Sequence, residues 1–449
     1  MVSRKRVYAA LLLLVVMVWC VPAGRADEVT FWNSIALDIM RESMTHPPRV
    51  GRDLAIVHSS IYDALNAIDR MHTPLFYQPS LAGPASREAA VAAAAHEALV
   101  GLYPTYETSL NGLFNARLAA IPDGRARDTG IALGRSVADN MLTLRASDGW
   151  NAGSVYEGGT KPGQWRPTPP GFQPALAPHW GNVKPFAIPG VEEFRPGPPP
   201  ALGSHEYAVA LNETKLLGAS DSTVRTPDQT QIAEFWNDYP GLTAAPAGKW
   251  NLIAQTLGEQ QGNTLAQNAR MLALLNVSLA DVGIVCWDTK YTYGLWRPED
   301  AIRLADTDGN PGTLADPDWT PLWPSPAFPE YNSGHSSFSG ASAEILSLFF
   351  GTDDIAFDAG AGFDVLPGVT RHYDSISEAA LEAGRSRIYG GIHFQFANVA
   401  GMESGRAIAE YVYANFAAPV PAPGGAALIL IGIACLSRAR RTILHRSKR

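Results

Sequence analysis

The chain has 449 residues, a formal net charge of −8 and an apolar fraction of 46%. That suffices to bury a large core, in one large domain or two to three smaller ones. The acidic balance excludes a general attraction for nucleic acid or an anionic membrane surface, so any anion site must come from local clustering of basic residues.

Residues 1–26 have the order of a secretory signal. Arg4, Lys5 and Arg6 form a basic start, an apolar run covers 9–21, and small residues surround a cut after Ala26. An uncleaved membrane anchor is the alternative. Apolar residues at helical spacing predict a helix over 31–43, ended by Pro47-Pro48, and a second over 52–68. Helices follow over 87–102, 106–120 and 126–146. Residues 151–204 are rich in proline, glycine and tryptophan and form a long loop, either a cleft wall or lid, or a structural wrap. Helices resume over 206–217, 228–236, 250–260 and 264–287. A Pro/Asp-rich loop spans 306–330; its Asp306-Thr307-Asp308-Gly309-Asn310 lacks the later glutamate of a calcium loop and is taken as a plain turn. The last helices lie over 341–350, 377–389 and about 398–416. The expected fold class is all-α, a helical bundle with long Pro/Gly-rich loops in a single domain over 27–418.

Residues 419–449 form a second processing segment. Val420-Pro421-Ala422-Pro423-Gly424 precedes a short apolar run over 426–436 and a basic end that includes Arg438, Arg440 and Arg441. This order resembles the C-terminal sorting signal read by bacterial exosortases, with Ala422 where that motif has glutamate; a simple tail anchor is the alternative. With Cys20 and Cys435 in the two ends, only Cys286 would remain, so the mature chain has no internal disulfide. The expectation is an exported protein of the periplasm, cell envelope or exterior. It meets a membrane only through its ends, sorting machinery is its partner at the C-terminus, and its oligomeric state is open.

Three stretches carry the chemistry. Ser333-Gly334-His335 opens an apolar helix: Ser333 is an N-cap residue, Gly334 leaves the backbone bare, and the first N–H groups favour an anion. His335 beside that anion is an acid–base candidate. Lys290 and Arg297 are seven residues apart, which on a continuous helix would place both on one face. Arg387 and His393 flank Gly390-Gly391, whose bare backbone also suits close approach to an oxyanion, and His393 falls in a turn before the last helix. Singly, each has an ordinary explanation: solvated charges, a helix pair of Arg387 with Glu382 or Glu378, structural histidines. Together they suit a tetrahedral, highly charged oxyanion, with arginine forks matching its oxygens and lysine adding a point charge.

Lys-x6-Arg-Pro, Ser-Gly-His and Ser-Arg-x3-Gly-x-His, in this order, resemble the signature shared by vanadium-dependent haloperoxidases and type 2 phosphatidic acid phosphatases. Val57 to Ile68 and Trp165-Arg166-Pro167-Thr168-Pro169-Pro170 are similar to the bacterial haloperoxidase branch. The resemblance implies a bundle of that kind. It implies vanadate as cofactor, with His393 bonding the metal, Lys290, Arg297 and Arg387 neutralising its oxygens, and Ser333 Oγ and the Gly334 N–H donating to them. His335 would be the acid–base residue, and Lys290 would polarise the oxygen that is transferred. Hydrogen peroxide, a halide and an organic acceptor are the implied substrates. Trp287 and Phe328 match the halide pocket of the chloroperoxidase-like pattern, where bromoperoxidases have histidine at the second position, and favour a broad halide range. Asn332 stands where the family has proline.

Phosphate shares vanadate's shape and charge and would occupy the same site. A soluble acid phosphatase, with His393 forming a phosphohistidine and His335 protonating the leaving alcohol, is therefore the alternative activity. An envelope-anchored binding protein without activity and a non-halogenating peroxidase or sulfoxidase are also compatible with these residues.

Overall fold

The computed structural model describes residues 27–81, 83–363 and 365–420, so the segments expected to be processed at either end lie outside the described residues, apart from 419–420. The described chain is mainly helical: α1 Glu28–Glu42, α2 Pro47–Asp69, α3 Arg87–Leu102, α4 Glu107–Leu118, α5 Arg125–Arg145, α6 His205–Leu217, α7 Pro227–Phe235, α8 Ala245–Gln260, α9 Leu265–Tyr293, α10 Pro298–Arg303, α11 Gly334–Phe350, α12 Ile376–Tyr389 and α13 Gln395–Asn415. The helical-bundle expectation holds, although the short α10 was not predicted, α8 begins at Ala245 rather than 250 and α11 at Gly334 rather than 341. Three further departures stand out. Pro47 and Pro48 open α2 instead of closing α1, because a proline in the first turn gives up no helical hydrogen bond. The helix predicted to end at 287 runs on to Tyr293. A two-stranded antiparallel hairpin, Phe357–Gly360 (β1) with Thr370–Tyr373 (β2), follows α11 where no strand is predicted. Each strand has four residues, too few for an alternation pattern to stand out.

α9 is the axis of the molecule, buried from Asn268 to Lys290 almost without a break. It packs against α2, α11, α13 and α8. Its Thr264–Gln267 capping box fixes the start, and Gly294 in the left-handed region (φ 56°) closes the end. The long loop 151–204 is bound to this axis. Three consecutive N–H groups, of Phe186, Ala187 and Ile188, converge on the buried Asp281 carboxylate at 2.6, 2.8 and 2.9 Å. Farther along, Leu176 O accepts from Trp287 Nε1 at 3.1 Å and from Tyr291 Oη at 2.7 Å. The loop is thus both a wrap and a wall over the last turns of α9.

α11 and α13 cross in close contact because glycines remove side chains from the crossing. A Cβ on Gly340 would stand 2.4 Å from Met402 O, and one on Gly405 would stand 2.1 Å from Ser337 O. The contact brings the start of α11 to the start of α13, where the Ser333 N–H donates to Ala397 O at 3.0 Å.

Candidate active site

Five elements deliver the side chains. α9 supplies Trp287 and Lys290 from its last turns. After Gly294 the chain turns, and Arg297 becomes the N-cap position of α10. The two cations therefore do not share a helix face, as their spacing suggested; a turn between two helices brings them together. The loop before α11 carries Phe328, and Ser333 caps α11, accepting the Ser336 N–H at 3.4 Å. Arg387 lies in the last turn of α12, and His393 lies in the link to α13. Gly390 and Gly391 also pack closely against protein: a Cβ on Gly391 would stand 2.4 Å from Gly218 O, and one on Gly390 would stand 2.8 Å from Trp323 Cδ1.

Lys290, Arg297, Ser333, Arg387 and His393 are all buried. His393 Nδ1 is 2.9 Å from Glu330 Oε1, and its Nε2 is 3.2 Å from Arg297 Nη1. Arg297 also donates to Phe328 O and Ile392 O, each at 2.8 Å. Arg387 Nη1 donates to Trp236 O at 2.9 Å, while Glu382, its expected helix partner, pairs with Arg371. Among the described residues Arg297 Nη2 and Arg387 Nε are buried with no hydrogen-bond partner. Lys290 Nζ donates to Pro329 O and Glu330 O at 3.1 Å and also to Asn332 O. Its charge is in the site, but its protons brace the loop that carries Phe328 and Ser333. Trp287 and Phe328 meet with ring centroids 5.0 Å apart, and Lys290 Nζ lies 5.0 Å from the Phe328 centroid.

Burying cations is costly unless they are paired. Burial pushes Lys290 down to about 8, and Arg297 and Arg387 down to about 10 each. The carboxylates near this cluster are Glu330 and Asp238. Burial raises Glu330 to about 7. Burial also favours a neutral Asp238, but Lys249, His335 and Arg387 outweigh it and hold that carboxyl below its usual range. With Lys249 beside Lys290, Arg297 and Arg387, four cations against two carboxylates leave an excess of positive charge beside the N-terminus of α11. Burial, with Arg387 adding to it, lowers His335 to about 4 despite Asp238. Burial, reinforced by Arg297, Lys290 and Arg387, also holds His393 well below the ordinary histidine range. His393 is therefore neutral, and its contact with Glu330 is a hydrogen bond, not an ion pair.

Sequence reasoning missed three members of the cluster. Asp238, Lys249 and Glu330 are each buried; Asp238 Oδ1 is 3.6 Å from Lys249 Nζ. Asp238 sits in Asn237-Asp238-Tyr239-Pro240, which has the composition of a turn, and Lys249 sits among apolar residues of α8. For Glu330 the one available signal is its place three residues before Ser333.

Residues 270–420 match the family model described as the VCPO second helical-bundle domain. Vanadium chloroperoxidase of Curvularia inaequalis is 26% identical, across 84% of this chain and 81% of that protein. The chain is thus similar to vanadium haloperoxidases along most of its length. It is an enzyme of the peroxidase type. Among solved haloperoxidases, the first bacterial vanadium-dependent iodoperoxidase superposes with a TM-score of 0.76 at 27% identity, covering 87% of this chain and 96% of that one. A holo-type bacterial vanadium-dependent chloroperoxidase shares the fold, with a TM-score of 0.66 at 17% identity over 83% of this chain and 93% of that one. The haloperoxidase family implies vanadate, and the donor set suits it: unpartnered guanidinium N–H groups, excess positive charge and a neutral histidine. Among the described residues no group of three or more His, Cys, Asp and Glu could hold a bare metal cation.

Proposed function

We propose that this chain is a vanadate-dependent haloperoxidase that oxidises halide with hydrogen peroxide: H2O2 + X− + H+ gives HOX + H2O. One observation carries the reading. Arg297 and Arg387, each with a buried unpartnered N–H, converge with Lys290 beside the neutral His393 at the start of α11.

Vanadate, when bound, supplies the Lewis acidity that activates peroxide for oxygen transfer to halide. His393 Nε2 offers the lone pair that holds it. Arg297, Arg387 and the Gly334 N–H neutralise its oxygens, and Lys290 adds charge from the loop it braces. His335, neutral above about pH 4, would take up the proton of hydrogen peroxide and return it to the water formed. The Trp287–Phe328 wall, with Lys290 behind it, receives the halide. The proposed range of halides is broad, with an organic acceptor halogenated by the released hypohalous acid. Export and C-terminal sorting rest on the residue order of 1–26 and 419–449. The descriptions of the iodoperoxidase and chloroperoxidase relatives support the activity class.

The test is to add orthovanadate to the purified chain and assay peroxide-dependent bromination and iodination beside phosphate-ester hydrolysis. Halogenation that needs vanadate is expected. Hydrolysis without vanadate and no halogenation with it would replace the proposal with the phosphatase reading.

A further inference from the structure

Glu330 makes two contacts that together fix the protonation of His393. Its Oε1 accepts the Phe394 N–H at 2.9 Å and lies 2.9 Å from His393 Nδ1. An amide can only donate, so Oε1 accepts there, and its second lone pair is placed to accept a hydrogen from Nδ1. The opposite edge of the imidazole decides the direction. Arg297 Nη1 is 3.2 Å from His393 Nε2, and a guanidinium has no lone pair to offer, so Nε2 carries the lone pair. The ring is thus the Nδ1–H tautomer, and Nε2 is the nitrogen left to bond a central atom.

The surroundings hold this geometry rigid. The Glu330 N–H donates to Leu295 O at 2.9 Å, and Glu330 O accepts from Lys290 Nζ at 3.1 Å. His393 O accepts from Thr214 Oγ1 at 3.1 Å. Glu330 is fully buried, and its Oε2 has no hydrogen-bond partner among the described residues. Burying a half-satisfied carboxylate has a cost that a purely structural contact with one amide does not require. A histidine that bonds a metal commonly donates its other N–H to such a group, which sets the tautomer and raises the basicity of the bonding nitrogen.

We propose that Glu330 is a positioning residue that holds His393 in the Nδ1–H tautomer and presents its Nε2 lone pair to the bound oxyanion. The proposal rests on the haloperoxidase reading of His393, and its test separates the two. Vanadate-free protein carrying 15N-histidine is compared with Glu330→Ala, Glu330→Met and Glu330→Gln, with His393→Ala assigning the resonance. Vanadate affinity is then measured by calorimetry and the bound state by 51V NMR.

The wild type is expected to show a protonated Nδ1 and an unprotonated Nε2. Ala and Met remove the acceptor, so the ring populates both tautomers, vanadate binds roughly 10–100-fold more weakly, and the bound 51V signal shifts. Met keeps the bulk and serves if the Ala variant fails to fold. Gln keeps an oxygen for both N–H groups, so the tautomer is retained and most of the affinity is rescued. An unchanged tautomer in Ala or Met, with wild-type affinity and 51V shift, overturns the proposal. Wild-type protein that binds no vanadate, or His393→Ala that binds it equally well, overturns the haloperoxidase reading, and the tautomer spectra still decide the role of Glu330.

Discussion

His335 Nε2 stands 3.5 Å from Asp238 Oδ2, too poorly placed for a hydrogen bond but close enough for the buried carboxylate to act on the ring. Lys249 faces the other oxygen at 3.6 Å and stacks over Phe235 and Trp236 at 4.5 and 4.9 Å. Removing one member of a buried pair strands the other charge. Asp238→Asn is expected to lose about 3 kcal/mol or more in urea unfolding. Asp238→Asn with Lys249→Met should recover most of that loss. If the two substitutions prove additive, they are not a pair.

The site cations set the pH range of anion binding. Lys290, pushed down to about 8 by burial, is charged below that pH and loses its charge as pH rises through it. Vanadate affinity should therefore fall above about pH 8 more steeply in the wild type than in Lys290→Arg, since arginine stays protonated. The comparison between the two proteins cancels the ionisation of vanadate itself. Parallel pH profiles would place the Lys290 charge outside the binding event.

Arg297 and Arg387 each keep an unpartnered buried N–H, so each should contribute to any tetrahedral anion of like charge. Replacing either with alanine is expected to weaken vanadate and inorganic phosphate together, by roughly tenfold or more for each charge-assisted bond lost. Competition of phosphate against vanadate in the wild type checks that they share one pocket. A loss confined to one anion would separate the two sites.

The halide wall should be separable from the anion cradle. Phe328 lies between Trp287 at 5.0 Å and the Arg297 guanidinium at 4.7 Å. Phe328→His adds a polar ring without removing a site cation. It is expected to lower kcat/KM for chloride more than for iodide and to leave vanadate affinity within about threefold, well under the 1.4 kcal/mol of a tenfold change. Equal loss for every halide would show that the wall does not select.

The α11–α13 crossing links stability to the site. Gly405→Ala would place a Cβ 2.1 Å from Ser337 O, and backbone has to move to relieve it. An over-packed contact of this kind costs about 1–3 kcal/mol, and here it would also separate Ser333 from His393, so thermal stability and vanadate affinity should fall together. Gly112→Ala is the control. A Cβ at Gly112, inside α4, meets nothing within 4 Å, and the change should stabilise by about 0.5–1 kcal/mol.

Much of the site was legible in the chain because its chemistry depends on residue type at fixed local spacing. Ser333 before Gly334 marks a helix cap, and the structure places the cap there. Arg387 at the end of one helix and His393 in the turn before the next also stand where spacing put them. The shared helix face of Lys290 and Arg297 failed for a local reason: Gly294 in the left-handed region stops α9 and redirects the chain. Glu330, Asp238 and Lys249 were invisible because a carboxylate or lysine in a loop or helix looks solvated until long-range packing buries it.

Sequence alone therefore determined the helical class, the cap at Ser333 and the set of cations and histidines suited to an oxyanion, since propensity, capping and charge are local properties. Tertiary structure alone decided that four buried cations, Lys249 among them, exceed two buried carboxylates, that His393 is neutral with its lone pair on Nε2, and that Lys290 spends its protons on the loop. Those outcomes depend on desolvation and on contacts between residues far apart in the chain, such as Glu330 with His393 and Asp238 with His335. No spacing rule contains them.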